Sequence, residues 1–66
     1  MERAELILRY QRGDRIFEQV DLHEQSLVGL DLSHSQMPAA RFAIANLSSA
    51  NLSYCSLNQA DFNVAR

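Results

Sequence analysis

Every fifth residue from Phe17 to Phe62 is large and apolar: Phe17, Leu22, Leu27, Leu32, Met37, Phe42, Leu47, Leu52, Leu57 and Phe62. Twenty of the 66 residues are Leu, Ile, Val, Phe or Met, so ten consecutive hits in one of five frames arise by chance about once in 30,000 such chains. A period of five fits neither common element. In an α-helix each step of five turns a side chain by about 140°, which smears the ten residues around the cylinder. In a strand, residues five apart alternate between opposite faces. What remains is a short extended piece followed by a turn in every unit. Each central residue then returns to the same interior, which makes a solenoid with its core along the axis.

The neighbours of the central residue, i, sharpen this reading. Position i−2 is small or apolar in most units, with Val20, Leu30, Ala40, Ala45, Ala50, Cys55, Ala60 and Ala65, and Arg15, Gln25 and Ser35 depart from the rule. It is expected to look inward. Position i−1 is mostly polar, with Asp21, Ser26, Asp31, Gln36, Arg41, Asn46, Asn51, Ser56 and Asp61, and is expected to face water. Positions i+1 and i+2 collect Gly29, Ser33, Pro38, Ser48, Ser49, Ser53, Asn58 and Asn63, residue types that favour turns.

The stretch Ala45-Asn-Leu-Ser-Ser, Ala50-Asn-Leu-Ser-Tyr, Cys55-Ser-Leu-Asn-Gln, Ala60-Asp-Phe-Asn-Val resembles the pentapeptide repeat family, whose units read Ala-(Asp/Asn)-Leu-x-x. The resemblance covers about three quarters of the chain and is weaker in Arg15-Ile-Phe-Glu-Gln. It implies an all-β solenoid, specifically a right-handed quadrilateral β-helix with four units per coil. Ten units make about two and a half coils, stacked at the inter-strand spacing of ~4.8 Å. Residues twenty apart then stack. The structural core forms the columns Phe17/Met37/Leu57, Leu22/Phe42/Phe62, Leu27/Leu47 and Leu32/Leu52. On the outside, Arg41 falls between Asp21 and Asp61 in an expected ionic ladder, Tyr54 covers His34, and Val64 covers Ile44.

The first sixteen residues lack the five-residue period. Good helix formers run from Glu2 to Gly13, with Glu2 and Glu5 near the start and Arg9 and Arg12 near the end, complementing the helix dipole. Leu6, Ile7 and Tyr10 share a face, and the open first coil is the surface they are expected to cover, because an uncovered solenoid end exposes core side chains and unpaired backbone. Residues 1–14 are therefore read as an N-terminal α-helical cap and turn, and residues 15–66 as the repeat β-helix. The segment from Leu6 to Phe17 is also similar to the helical lead-in of cyanobacterial members of the family. At the other end, Ala65 and Arg66 begin an eleventh unit. This is read as a fragment or regulatory domain of a longer protein, or as a bare coil that meets a second copy end to end through Leu52, Leu57 and Phe62.

A formal net charge of −2 supplies no basic footprint for direct nucleic-acid or anionic-membrane binding. The longest strongly apolar run, Leu6 to Leu8, is too short for a membrane span or a signal-peptide core. Cytoplasm is the expected location. Lone Cys55 allows no internal disulfide and, in an inward slot, reads as a small buried hydrophobe. Asp31, Ser33, His34 and Ser35 supply triad residue types without the strained nucleophile turn or an oxyanion site. His23 and His34 fall on different sides of one coil and lack metal-ligand companions. Arg12-Gly13-Asp14 imitates an adhesion tripeptide, and Asn46-Leu-Ser and Asn51-Leu-Ser imitate glycosylation acceptors, but all read as helix-end and repeat residues. No catalytic, cofactor or metal site is assigned.

The leading expectation is thus a non-catalytic scaffold that binds an unidentified protein partner. The candidate interaction surface is His34, Ile44, Tyr54 and Val64, with Leu52, Leu57 and Phe62 as the end-to-end interface. The alternative comes from the family resemblance, some of whose members mimic duplex DNA and modulate DNA gyrase. Such mimicry needs a long, strongly acidic rod, whereas two and a half coils span only ~12 Å at the spacing above. The repeats carry Glu18, Asp21, Glu24, Asp31 and Asp61 against Arg15, Arg41 and Arg66.

Overall fold

A computed structural model describes all residues from Met1 to Arg66. One helix, α1 (Arg3–Gln11), is followed by backbone that returns to the same register every twenty residues. Six parallel bridges carry the return: Ile16 to Gln36, Asp21 to Arg41, Ser26 to Asn46, Asp31 to Asn51, Gln36 to Ser56 and Arg41 to Asp61. Every bridged residue is an i−1 residue. Four bridged positions in each twenty residues define four sides, here called sides one to four after the central residues Phe17, Leu22, Leu27 and Leu32.

The turns explain why pairing stops at one residue per side. In most units the i+3 N–H donates to the carbonyl of the central residue, as from Ala45 to Phe42 (3.0 Å) and Ala65 to Phe62 (2.8 Å). Position i+2 has positive φ from Gln19 to Val64, including Glu24, His34, Ala39, Ile44, Ser49, Tyr54 and Gln59, and only Gly29 among them is glycine. A bonded turn with positive φ at its third residue alone has the type II pattern. It bends the chain after each bridge, and the i+2 N–H of the turn still donates to the next coil, as from His34 to Ser53 O (2.9 Å) and from Ile44 to Asn63 O (3.0 Å). Where an all-β solenoid was expected, the repeats therefore form isolated bridges rather than continuous strands, and α1 is the one regular element.

The helix ends as its sequence predicts. Gly13 N–H bonds to Tyr10 O at 3.0 Å and Asp14 N–H to Arg9 O at 3.0 Å, with Gly13 at φ 99°. This is a Schellman closure, and it uses the one residue type that enters that conformation freely. Leu6 is fully buried and joins Phe17, Val20, Leu22, Leu27 and Leu32 in one apolar cluster. Leu8, on the opposite face, is exposed.

Of the three departures from the i−2 rule, two serve the helix. Gln25 holds the start of α1: its Oε1 accepts from Arg3 N–H at 2.9 Å and its Nε2 donates to Met1 O at 2.9 Å. Arg15 holds the other end, donating to Tyr10 O at 2.9 Å and to Asp14 O at 2.8 Å while its guanidinium lies 3.6 Å from the Tyr10 ring centroid. Gln25 satisfies an N–H that the helix start leaves unpaired, and Arg15 gives a second donor to a carbonyl of the last turn that Gly13 already engages. Ser35 is different, because its hydroxyl is buried with no hydrogen-bond partner.

Along the axis the expected columns are present, with the Phe42 and Phe62 rings stacked at 4.9 Å and 6°. Burial is uneven, however. Phe17, Leu22, Leu27, Leu32, Met37 and Phe42 are buried, Leu47, Leu52 and Leu57 are only partly so, and Phe62 is 38% exposed. Cys55 shares their position. It is half-buried rather than buried, and its Sγ donates to Leu32 O at 3.0 Å. The ionic ladder also forms only in part. Arg41 pairs with Asp21 at 3.2 Å, while Asp61 accepts from Asn63 N–H at 2.9 Å instead. That turn bond engages the Asp61 carboxylate locally.

Candidate functional site

Side four carries the densest set of features. Its first-coil unit, Leu30–His34, lies against the end of α1, where the Tyr10 hydroxyl donates to Ser33 O at 2.8 Å and lies 3.3 Å from Ser33 Oγ, and Ala50–Tyr54 stacks beneath it in the second coil. Asp31 Oδ1 accepts from Ser33 N–H at 3.0 Å, an Asx turn that fixes the carboxylate. Hydrogen bonds from the Ser33 hydroxyl and amide, opposed by modest desolvation and aided by Arg15 and His34, hold the Asp31 carboxyl below its ordinary value of 3.8. It is anionic at neutral pH.

At the corner of this side the His34 and Tyr54 rings stack, 4.9 Å between centroids and 9° from parallel. Tyr54 is 83% exposed. Both residues sit at positive φ, 66° and 61°, a conformation that costs a non-glycine residue about 1 kcal/mol or more. The twenty-residue register, applied to residues that no other geometry would bring together, creates this ladder.

The other residues singled out from the sequence do not share that corner. Ile44 (58% exposed) and Val64 (72% exposed) belong to side two, ten residues and so half a coil away from His34 and Tyr54. The four expected surface residues therefore form two separate corners rather than one patch, because positions ten apart fall on opposite sides of a four-sided coil. Side two has its own polar group. The Asp21 carboxylate accepts from His23, with Oδ1 2.7 Å from Nδ1, and from Arg41. His23 hydrogen bonds, first to the side chain and then from the backbone, with Arg41 adding to them, lower the Asp21 pKa from 3.8. His23 and His34 are on different sides, as expected. Asp31 engages the Ser33 amide while His34 lies on Tyr54, an arrangement unlike a triad.

Sequence reasoning missed the space beside Asp31. Ile7, Tyr10 and Gln11 of α1 face Leu30, Asp31 and Leu32 across a half-enclosed cleft of about 220 Å³. The available signal was the size of the first-coil i−2 residues, Arg15, Val20, Gln25 and Leu30, against the alanines that follow. Large side chains there imply that something other than another coil lies over them.

A coil of stacked five-residue units, one bridge per unit and a turn at every corner, defines a class of repeat protein. Residues 45–66, a third of the chain, match the family model of pentapeptide repeats (8 copies), which supports the likeness of these units to the pentapeptide repeat family. Such repeats imply a right-handed quadrilateral β-helix in general, and serve generally as structural or protein-interaction modules. Among curated proteins none matches the chain. No helix is long and apolar enough to cross a membrane.

Proposed function

We propose that this chain is a non-catalytic protein-interaction module: about two and a half right-handed coils in residues 15–66, capped by residues 1–14, acting in the cytoplasm without a cofactor. The reading is supported chiefly by the His34–Tyr54 stack, two aromatic rings held in solvent on the side that also lines the cleft. A coil braced by bridges and by hydrogen bonds from both helix ends presents such a corner at low conformational-entropy cost to binding.

The partner binds side four in this proposal. The half-exposed edge formed by Leu52, Leu57 and Phe62 is a second contact, for which another copy of the chain is the simplest occupant. Cross-linked capture from source cells tests the first surface. Tyr54→Ala is expected to lose the partner that wild type captures, while Ile44→Ser, half a coil away, keeps it. Identical partner sets for wild type and Tyr54→Ala would defeat the side-four assignment. Sedimentation of wild type and Phe62→Ser tests the second, and a monomer at all concentrations removes the end-to-end contact.

A further inference from the structure

The cleft between α1 and side four has a chemistry of its own. Its apolar lining residues are Ile7, Leu30, Leu32 and Tyr10, and Gln11 and Asp31 are the polar residues that line it. The nearest basic group on this side, Arg15, is committed to the Tyr10 ring and to two carbonyls. Asp14 and Asp21 are matched by arginine within the chain, but no cation of the chain is paired with Asp31. A fixed carboxylate beside an apolar slot calls for a cation on an apolar stem. The volume, about 220 Å³, exceeds the ~150 Å³ that accommodates benzene, so a chain of four or five heavy atoms fits.

Geometry also selects the kind of cation. A guanidinium pairs with Asp21 beside the same kind of turn bond, so the choice rests on the slot: lysine carries a flexible four-carbon stem for the apolar walls to cover, ahead of a compact ammonium that needs a single carboxylate oxygen. We propose that this cleft receives a lysine side chain of a partner protein, with the stem against Ile7, Leu30 and Leu32 and the ammonium on Asp31. The assignment rests on the interaction-module reading and names what that module grips.

The test uses the full 66-residue chain and needs no partner. Backbone amide NMR shifts are followed during titration with n-butylammonium chloride and, separately, with n-butanol at the same ionic strength. Saturable shifts are expected in residues 7–11 and 30–32, with butylammonium half-saturating at a concentration about 1.5- to fivefold lower than butanol, the range for an exposed ion pair. Asp31→Asn keeps the Oδ1 acceptor for Ser33 and should erase that preference. Gln11→Phe, on exposed helix surface, should fill the slot and remove both responses. Shifts that never saturate, equal half-saturation for amine and alcohol, or a preference that survives Asp31→Asn would overturn the proposal. Because the titration contains no protein partner, its failure leaves the Tyr54 capture experiment standing, and failure of that experiment leaves the amine result standing.

Discussion

In the first coil, Leu22, Leu27 and Leu32 are essentially fully buried between α1 and the coil that follows, whereas in the last, Leu57 is half-buried and Phe62 is 38% exposed. The same five-residue unit builds both. What differs is the material beyond each end, and the i−2 slot records it. Where the helix lies over the coil, the slot holds Arg15, Val20, Gln25 and Leu30, which reach across to pack on α1 or bind its ends. Where only coils stack, it shrinks to Ala40, Ala45, Ala50 and Ala60, since neighbouring coils about 4.8 Å apart leave little room. A repeat can thus keep its central residue constant while one adjacent position adapts the unit to its surroundings.

The largest expected effect tests this contrast directly. Leu6→Ala should destabilise the chain by about 2–5 kcal/mol, because it opens a cavity over the first coil. Phe62→Ala should cost less than about 2 kcal/mol, since its ring is already partly hydrated and loses less burial. Urea unfolding of both variants gives the comparison. Equal losses would mean that the last coil is covered in solution, which would redirect attention to its partner.

Ser35→Ala comes next and should run the other way. The hydroxyl is buried and unpaired, and alanine already fills equivalent slots at Ala40 and Ala45. Relief of the desolvation penalty should stabilise the fold by about 1–2 kcal/mol, visible as a raised urea midpoint with an unchanged slope. No gain would show that the hydroxyl finds a partner in solution. Gln25→Ala should then cost about 1 kcal/mol through lost bonds to Met1 and Arg3. Faster hydrogen exchange should appear in α1, with the last coil unchanged. Loss of protection throughout would mean that the cap and the coils unfold as one unit.

Ile44→Asn and Val64→Asn are smaller tests, in the second and third coils and half a coil from the His34–Tyr54 corner. Both replace a β-branched residue at positive φ, 62° and 59°, with one that tolerates the left-handed region. A gain of about 0.5–1 kcal/mol is expected at each site. The smallest effect is the pH dependence. The folded-state pKa values of Asp21 and Asp31 lie below 3.8, so their contribution is present above that pH and is lost as pH falls through the folded values. Asp21→Asn should flatten the acid limb of the stability curve recorded by circular dichroism. An unchanged limb would assign acid sensitivity to other carboxylates.

Much of the fold was legible in the residues. The ten central positions identify the interior, the change of pattern before Arg15 marks the helix, and Gly13 marks its end. Tyr54 over His34 and Phe62 over Phe42 followed once twenty residues were taken as one coil. The cleft was not legible, because Tyr10 and Asp31 are twenty-one residues apart and meet only through the angle at which α1 crosses the coil. Nor was the separation of Ile44 and Val64 from the aromatic corner drawn from the sequence, although the register contains it. Arg41 shows a further limit, since a column fixes which residues are neighbours but not which of two carboxylates a flexible side chain will choose.

The sequence by itself determined the period, the inward residue of each unit and the capped first coil, because burial of an apolar side chain every five residues admits few chain paths. Only the tertiary structure decided which departures from the repeat serve the helix, which one leaves a polar group stranded, and where a slot opens beside a fixed carboxylate. Those outcomes depend on distances between segments remote in the chain, and the energy of a hydrogen bond or a packed contact is settled by fractions of an ångström that a one-dimensional pattern does not carry.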